Sequence, residues 1–157
     1  WRLPTRGTVD APGGAHPTWA DVAVLPQRLG LMDELTVREN IEYPARLARR
    51  LAERADLVDD LIDALGLSGF QRRHPKEISL GEQQRTALAR ALVLSPRLVI
   101  ADEPTAHQDA GWARTMFDVI AGAATGGACC LVATHDTALT THAQRIVTMA
   151  DGRIVDP

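Results

Sequence analysis

The sequence predicts an α/β fold with a mostly parallel sheet, and three observations carry that reading. From Ser79 to Thr148 the residue pattern runs helix, strand, helix, strand, helix, strand. Such alternation places crossover helices between parallel strands. The strand candidates Leu98–Ala101 and Cys129–Ala133 are short apolar runs, which suits buried strands. The residues able to do chemistry follow those strands directly, Asp102-Glu103 after one and His135 after the next. Sheets of this kind gather their ligands beyond the carboxyl ends of the strands.

The elements follow in chain order. Residues 1–18 hold Pro4, Gly7, Pro12, Gly13, Gly14 and Pro17 and are expected as turns and an edge strand. Val22–Leu25 is a short apolar run that ends at Pro26. Thr36 and Glu39 have the spacing of a capping box, which starts a helix with Val37, Ile41, Leu47 and Leu51 on one face. Pro44 is expected to kink it. Leu57, Val58, Leu61, Ile62 and Leu65 form a second helical stripe, ended by Gly66. Gly66 to Glu77 is expected as a polar connection. Ser79 and Glu82 form a second capping box, and the helix behind it carries Leu88, Ala91 and Leu92 and stops at Pro96. Asp109 opens a further helix with Trp112, Met116, Phe117 and Ile120 on one face. Asp136 is expected to cap a short helix. Arg145–Met149 and Arg153–Val155 flank Asp151-Gly152, a hairpin signal.

Bulk properties narrow the function. A chain of 157 residues suits one domain. Hydrophobic residues at 45% and charged residues at 24% are ordinary globular usage. A net charge of −3 gives no case for binding nucleic acid through charge. No apolar run approaches the roughly 18 residues of a membrane-span candidate. The opening Trp1-Arg2-Leu3-Pro4 has no apolar core of a signal peptide. Cys129 and Cys130 are neighbours that point to opposite faces of a strand, so they make poor disulfide partners. Two buried thiols in a reducing cytoplasm are expected.

Each chemical feature is ambiguous alone. Asp102 could hold Mg²⁺, directly or through water, and Glu103 could polarise an attacking water. The same pair also fits an acidic surface turn. Ser79 and Gly81 lie at a helix start, where free amides and the helix dipole favour anions, yet Ser79 is equally a good N-cap. His135 could donate to a phosphate oxygen, although a lone histidine is more often a satisfied structural group. Gln27 alone carries no information.

The set is another matter. Leu25-Pro26-Gln27, then Ser79-Leu80-Gly81-Glu82-Gln83-Gln84-Arg85, then Leu98 to Thr105, then Ala106-His107-Gln108-Asp109, then Ala133-Thr134-His135-Asp136 occur in that order. Together they resemble the ATP-binding cassette (ABC) ATPases from the Q-loop onward, through signature, Walker B, D-loop and H-loop. The resemblance covers roughly nine-tenths of the chain. It implies a P-loop NTPase core of the ABC type with a mostly parallel sheet and a small helical subdomain at about 36–77. It implies ATP and Mg²⁺ as cofactors, a membrane permease and a second ABC ATPase subunit as partners, and a place at the cytoplasmic face of a membrane. By the same resemblance Asp102 supports Mg²⁺, Glu103 polarises the water and His135 meets the γ-phosphate. Gln27 senses metal and water. Ser79, Gly81 and Glu82 belong to the signature that meets ATP on the opposite subunit, and Asp109 communicates across that dimer. Glu34 to Ile41 and the Asp102-Glu103-Pro104-Thr105 ending are similar to the branch serving lipoprotein-release and macrolide-export permeases.

Three departures stand out. Leu80 occupies a position where the family usually has Gly, and Gln108 one where it usually has an apolar residue. The phosphate loop Gly-x-x-x-x-Gly-Lys-Ser/Thr occurs nowhere in the 157 residues, and the only lysine, Lys76, sits in His74-Pro75-Lys76-Glu77. The chain is therefore expected to begin just after the phosphate-loop helix and to be inactive alone. Two functions follow: the ATP-binding subunit of a transporter, catalytic when complete, or a non-catalytic module that offers its signature to an intact partner. A chromosome or repair ATPase would need a long coiled coil between Gln27 and Ser79, and no sustained heptads lie there.

Overall fold

The computed structural model of the chain describes residues 6–8, 12, 18, 20–136, 141 and 143–156. The elements run β1 (Val22–Leu25), α1 (Val37–Leu47), α2 (Leu51–Ala64), a 3₁₀ turn (Pro75–Glu77), α3 (Leu80–Leu92), β2 (Leu98–Asp102), α4 (Ala110–Thr125), β3 (Cys129–Ala133), β4 (Thr148–Ala150) and β5 (Arg153–Asp156). Three strands form a parallel sheet in the order β1-β2-β3, with Leu25 opposite Ala101 and Asp102 opposite Ala133. The expected edge strand in residues 1–18 falls largely outside the described residues, as does the short helix expected after Asp136.

Local chemistry explains the helix boundaries. Thr36 and Ser79 each cap a helix reciprocally with a glutamate three residues on. Asp109 caps α4 by accepting from the Gly111 and Trp112 amides, both at 2.9 Å. Helix α1 runs through Pro44 to Leu47 without ending there. Beyond α2 the chain turns at Gly66, whose φ of +64° suits glycine. A Cβ there would also lie 2.1 Å from the Trp112 ring.

The core joins α1, α2, α3, α4 and the sheet through Leu25, Ile41, Ile62, Leu88, Val99 and Met116. The 66–77 segment is less polar than its composition suggests, because Leu67 and Pro75 are buried and Phe70 packs on the core. The expectation of a buried strand at Cys129–Ala133 fails on one face. Cys130 and Val132 turn inward, whereas Cys129, Leu131 and Ala133 turn to a face that no described element covers, leaving Leu131 61% exposed. The two thiols accordingly differ. Cys129 is exposed, and Cys130 is half-buried with its pKa pushed up by desolvation. The hairpin β4–β5 forms at Asp151-Gly152, both with positive φ, as a tight primed turn requires.

Candidate functional site

Parallel pairing does the first part of the assembly. Since Leu25, Ala101 and Val132 lie side by side, the residues following them leave the sheet at the same end. That end carries Gln27 after β1, Asp102 and Glu103 at the close of β2, and His135 after β3.

Glu103 and His135 are joined directly. The carboxylate Oε1 lies 2.8 Å from His135 Nδ1 and also accepts from the His135 amide at 3.1 Å. The Thr134 hydroxyl donates to the other oxygen at 3.3 Å. Glu103 is one-quarter exposed and His135 almost fully so, which leaves the pair open to solvent. The hydrogen bond and negative charge of Glu103 hold the His135 imidazolium above the ordinary histidine range. Asp102 is exposed beside this pair. Mg²⁺ keeps several waters and takes few protein carboxylates when phosphates supply the rest, so one exposed strand-end aspartate suits it.

Glu103 adopts φ +48°, a left-handed conformation uncommon for a side-chain-bearing residue. Its amide donates to Ala133 O at 2.8 Å, and its carbonyl accepts from Gln84 Nε2 at 3.0 Å. Gln84 comes from α3, so the turn is gripped from the neighbouring strand and from the helix.

A second group lies at the start of α3. Ser79 Oγ donates to Glu82 Oε2 at 2.8 Å and accepts from the Glu82 amide at 3.3 Å. The Glu82 carboxylate also takes the Ser79 amide at 2.6 Å. To meet a phosphate oxygen, the Ser79 proton would have to leave Glu82. No described residue accepts from the amides of Leu80 or Gly81. Leu80 is half-exposed and directs its side chain to solvent. Gly81 packs so closely on the loop before Asp109 that a Cβ would lie 3.0 Å from His107 O.

The structure thus brings Glu103 and His135 together and places Asp102 next to them. Gln27 is exposed at the same sheet end but shares no hydrogen bond with that pair among the described residues. Ser79, Gly81 and Glu82 form a separate cluster, and Asp109 caps α4 beside it.

Sequence reasoning missed three linking residues. Gln84 is 3% exposed, Gln108 Nε2 donates to Gly81 O at 2.9 Å, and Arg90 donates to Leu29 O at 2.6 Å and Gly30 O at 2.7 Å. The last bonds tie α3 to the chain just past Gln27. A signal for Gln84 existed, since it lies four residues before Leu88 and eight before Leu92, on the apolar stripe. A polar group there must find partners.

A family model described as ABC transporter matches residues 4–106. The lipoprotein-releasing system ATP-binding protein LolD of Syntrophotalea carbinolica is 40% identical over 126 residues, 79% of this chain and 56% of the relative. The macrolide export ATP-binding/permease protein MacB of Sodalis glossinidius is 37% identical over 135 residues, 85% of this chain and 21% of the relative. Among solved structures, the dimeric post-hydrolysis state of the ATP-binding cassette MJ0796 bound to ADP and Pi matches with a TM-score of 0.76 and 25% identity, over 87% of this chain and 61% of that one. The fold is that of the ABC-type P-loop NTPase core. The chain spans about half the length of the curated ATP-binding proteins it matches, 55% and 56% for two of them.

Proposed function

The chain belongs to the ABC transporter family, and from that premise we propose that it serves as an ATP-binding subunit whose ATP hydrolysis drives a separate membrane permease. The observation that carries this reading is the 2.8 Å contact between Glu103 and His135 across the ends of adjacent parallel strands. It sets a carboxylate and a proton donor at one point, with the exposed Asp102 alongside.

The roles follow from the donor set. Asp102 would hold Mg²⁺, and the ion would supply neutralisation of charge on the phosphates. Glu103 accepts a proton from the attacking water, and Thr134 and His135 fix its two oxygens. His135, held toward its charged form, donates to a γ-phosphate oxygen. Gln27 reports on the metal and water to the permease. Ser79, Gly81 and Glu82 offer α3's N-terminal dipole, and two amides without an acceptor among the described residues, to ATP held by a second ABC ATPase subunit. Asp109 and its loop carry the state of one site to the other. Residues 36–77 form the helical subdomain that meets the permease at the cytoplasmic face of the membrane. A groove of about 730 Å³, lined by Leu29, Tyr43, Pro44, Leu47, Ala91 and Leu94, opens beside the Gln27 turn and suits that contact. The similarity to LolD and MacB supports a permease of the lipoprotein-release or macrolide-export type.

The phosphate-loop string, whose amides and lysine grip the β- and γ-phosphates, does not occur in residues 1–157. Purified residues 1–157 are therefore expected to hydrolyse ATP no faster than their Glu103→Gln version. Addition of an upstream phosphate-loop segment should bring Mg²⁺-dependent turnover that Glu103→Gln abolishes. Turnover by residues 1–157 alone, lost in Glu103→Gln, would refute the dependence on that loop. A second reading, a non-catalytic module that lends its signature to an intact partner, is favoured by the exposed start of α3, where the Leu80 and Gly81 amides have no acceptor among the described residues. The two part on whether the extended protein turns over ATP without that partner.

A further inference from the structure

We propose that Gln84 is a positioning residue for Glu103, holding its left-handed turn and tying it mechanically to the first turn of α3. This inference rests on the reading of Glu103 as the group that polarises water.

The Gln84 side-chain amide is buried and partnered at both ends. Gln84 Nε2 donates to Glu103 O at 3.0 Å. Its Oε1 accepts from the His107 amide at 3.3 Å and from Gln108 Nε2 at 3.2 Å. The orientation of the amide is forced. A flipped group would set an NH₂ against the two donors and the carbonyl oxygen against Glu103 O. With the nitrogen toward Glu103, all three contacts are satisfied.

The position matters because Glu103 is held at φ +48°, which a glutamate adopts only when its surroundings require it. One side of the residue is fixed by Ala133 O through its amide at 2.8 Å. On the other side the carbonyl has the Gln84 donor and a longer bond from the Ala106 amide at 3.3 Å. Loss of Gln84 leaves the peptide after Glu103 held only by the longer Ala106 bond, which loosens the turn that aims the carboxylate. Gln108 extends the linkage, since the same Nε2 that meets Gln84 also donates to Gly81 O at 2.9 Å. The path Gly81–Gln108–Gln84–Glu103 therefore connects the first turn of α3 to the carboxylate beside His135. Whatever docks on the start of α3 acts on Glu103 through this chain of hydrogen bonds.

Two substitutions separate this role from simple packing. Gln84→Glu keeps an oxygen facing His107 and Gln108 but removes the donor to Glu103. Gln84→Met removes both. In the full-length product of the gene, each is expected to lower kcat about tenfold or more while leaving the KM for ATP within about twofold. Amide exchange over residues 102–106 should quicken in both variants, a readout independent of turnover. Gln84→Glu matching wild type in kcat and exchange would overturn the inference and leave Gln84 as a support for the His107–Gln108 loop. A rise in KM alone would overturn it as well. A Glu103→Gln control separates the two levels: if that variant is dead while the Gln84 variants are normal, only the positioning role is lost. If Glu103→Gln turns over like wild type, the role of Glu103 falls and this inference with it.

Discussion

The chain enters α1 and α3 through nearly the same device, and the two entrances end differently. Thr36-Val37-Arg38-Glu39-Asn40 and Ser79-Leu80-Gly81-Glu82-Gln83 match in residue type at four of five positions. Both boxes close with a hydroxyl-to-carboxylate bond of 2.8 Å. In both, the side-chain amide after the glutamate reaches carbonyls five and eight residues back, Leu35 and Met32 for Asn40, Ile78 and Pro75 for Gln83. The amides that follow the caps differ. At α1 the Val37 and Arg38 amides donate to Arg73 O and Gln71 O, and the Arg38 side chain binds Glu42, Asp59 and Gln71. At α3 the Leu80 and Gly81 amides have no acceptor among the described residues, and Gly81 has no side chain to cover them. A helix start is an anion site only when its amides are unclaimed, and surrounding chain makes that decision.

The largest effect is expected at the one position where the two entrances differ in residue type, Arg38 against Gly81. Gly81→Arg gives α3 the residue of α1 and places a Cβ 3.0 Å from His107 O. In the full-length protein this should lower ATP turnover about a hundredfold, and abolish any ATP-dependent dimer seen by size-exclusion chromatography. Arg38→Gly, the reverse exchange, should leave turnover within about twofold, because the 71–73 carbonyls still occupy the amides beneath it. Equal loss in both variants would show that α3 is merely structural.

Stability sharpens the contrast in the other direction. Asn40 is fully buried and holds Met32 at both its amide and its carbonyl, so Asn40→Ala should cost about 2–4 kcal/mol in urea unfolding. Gln83 is half-buried with two carbonyl partners, and Gln83→Ala should cost about 1 kcal/mol. A reversed order would mean that α1 is not the more firmly anchored entrance. Thr36→Ala and Ser79→Ala should each cost about 1 kcal/mol as lost caps, with only Ser79→Ala also reducing turnover.

The smallest effect is a pH dependence at α1. Hydrogen bonds from the Thr36 amide and hydroxyl hold the Glu39 carboxyl below the ordinary glutamate range. A depressed folded pKa stabilises the fold above the unfolded value, and that contribution disappears as pH falls through the folded value. Thermal midpoints measured from about pH 5 downward should therefore fall less steeply in Glu39→Gln than in wild type.

Much of this molecule could be read without coordinates. Both capping boxes, the Asp109 cap, the Asp151-Gly152 hairpin and the strands β1, β2 and β3 are local patterns, and local patterns act through the chain's own neighbours in sequence. The alternation after Ser79 sufficed for parallel strands, and parallel strands put Glu103 and His135 at one end. Other features depended on partners far away in the chain. The left-handed turn at Glu103 needs β3 on one side and Gln84 on the other, and no motif contains all three. Leu131 reads as core from its apolar run, yet exposure is decided by whether another element covers its face. The two helix entrances are near twins in sequence. Only the approach of residues 71–73 to one, and the absence of any such acceptor among the described residues at the other, separates an anchored helix from one with free N–H groups, because a hydrogen bond between distant segments exists only once the fold has brought them together.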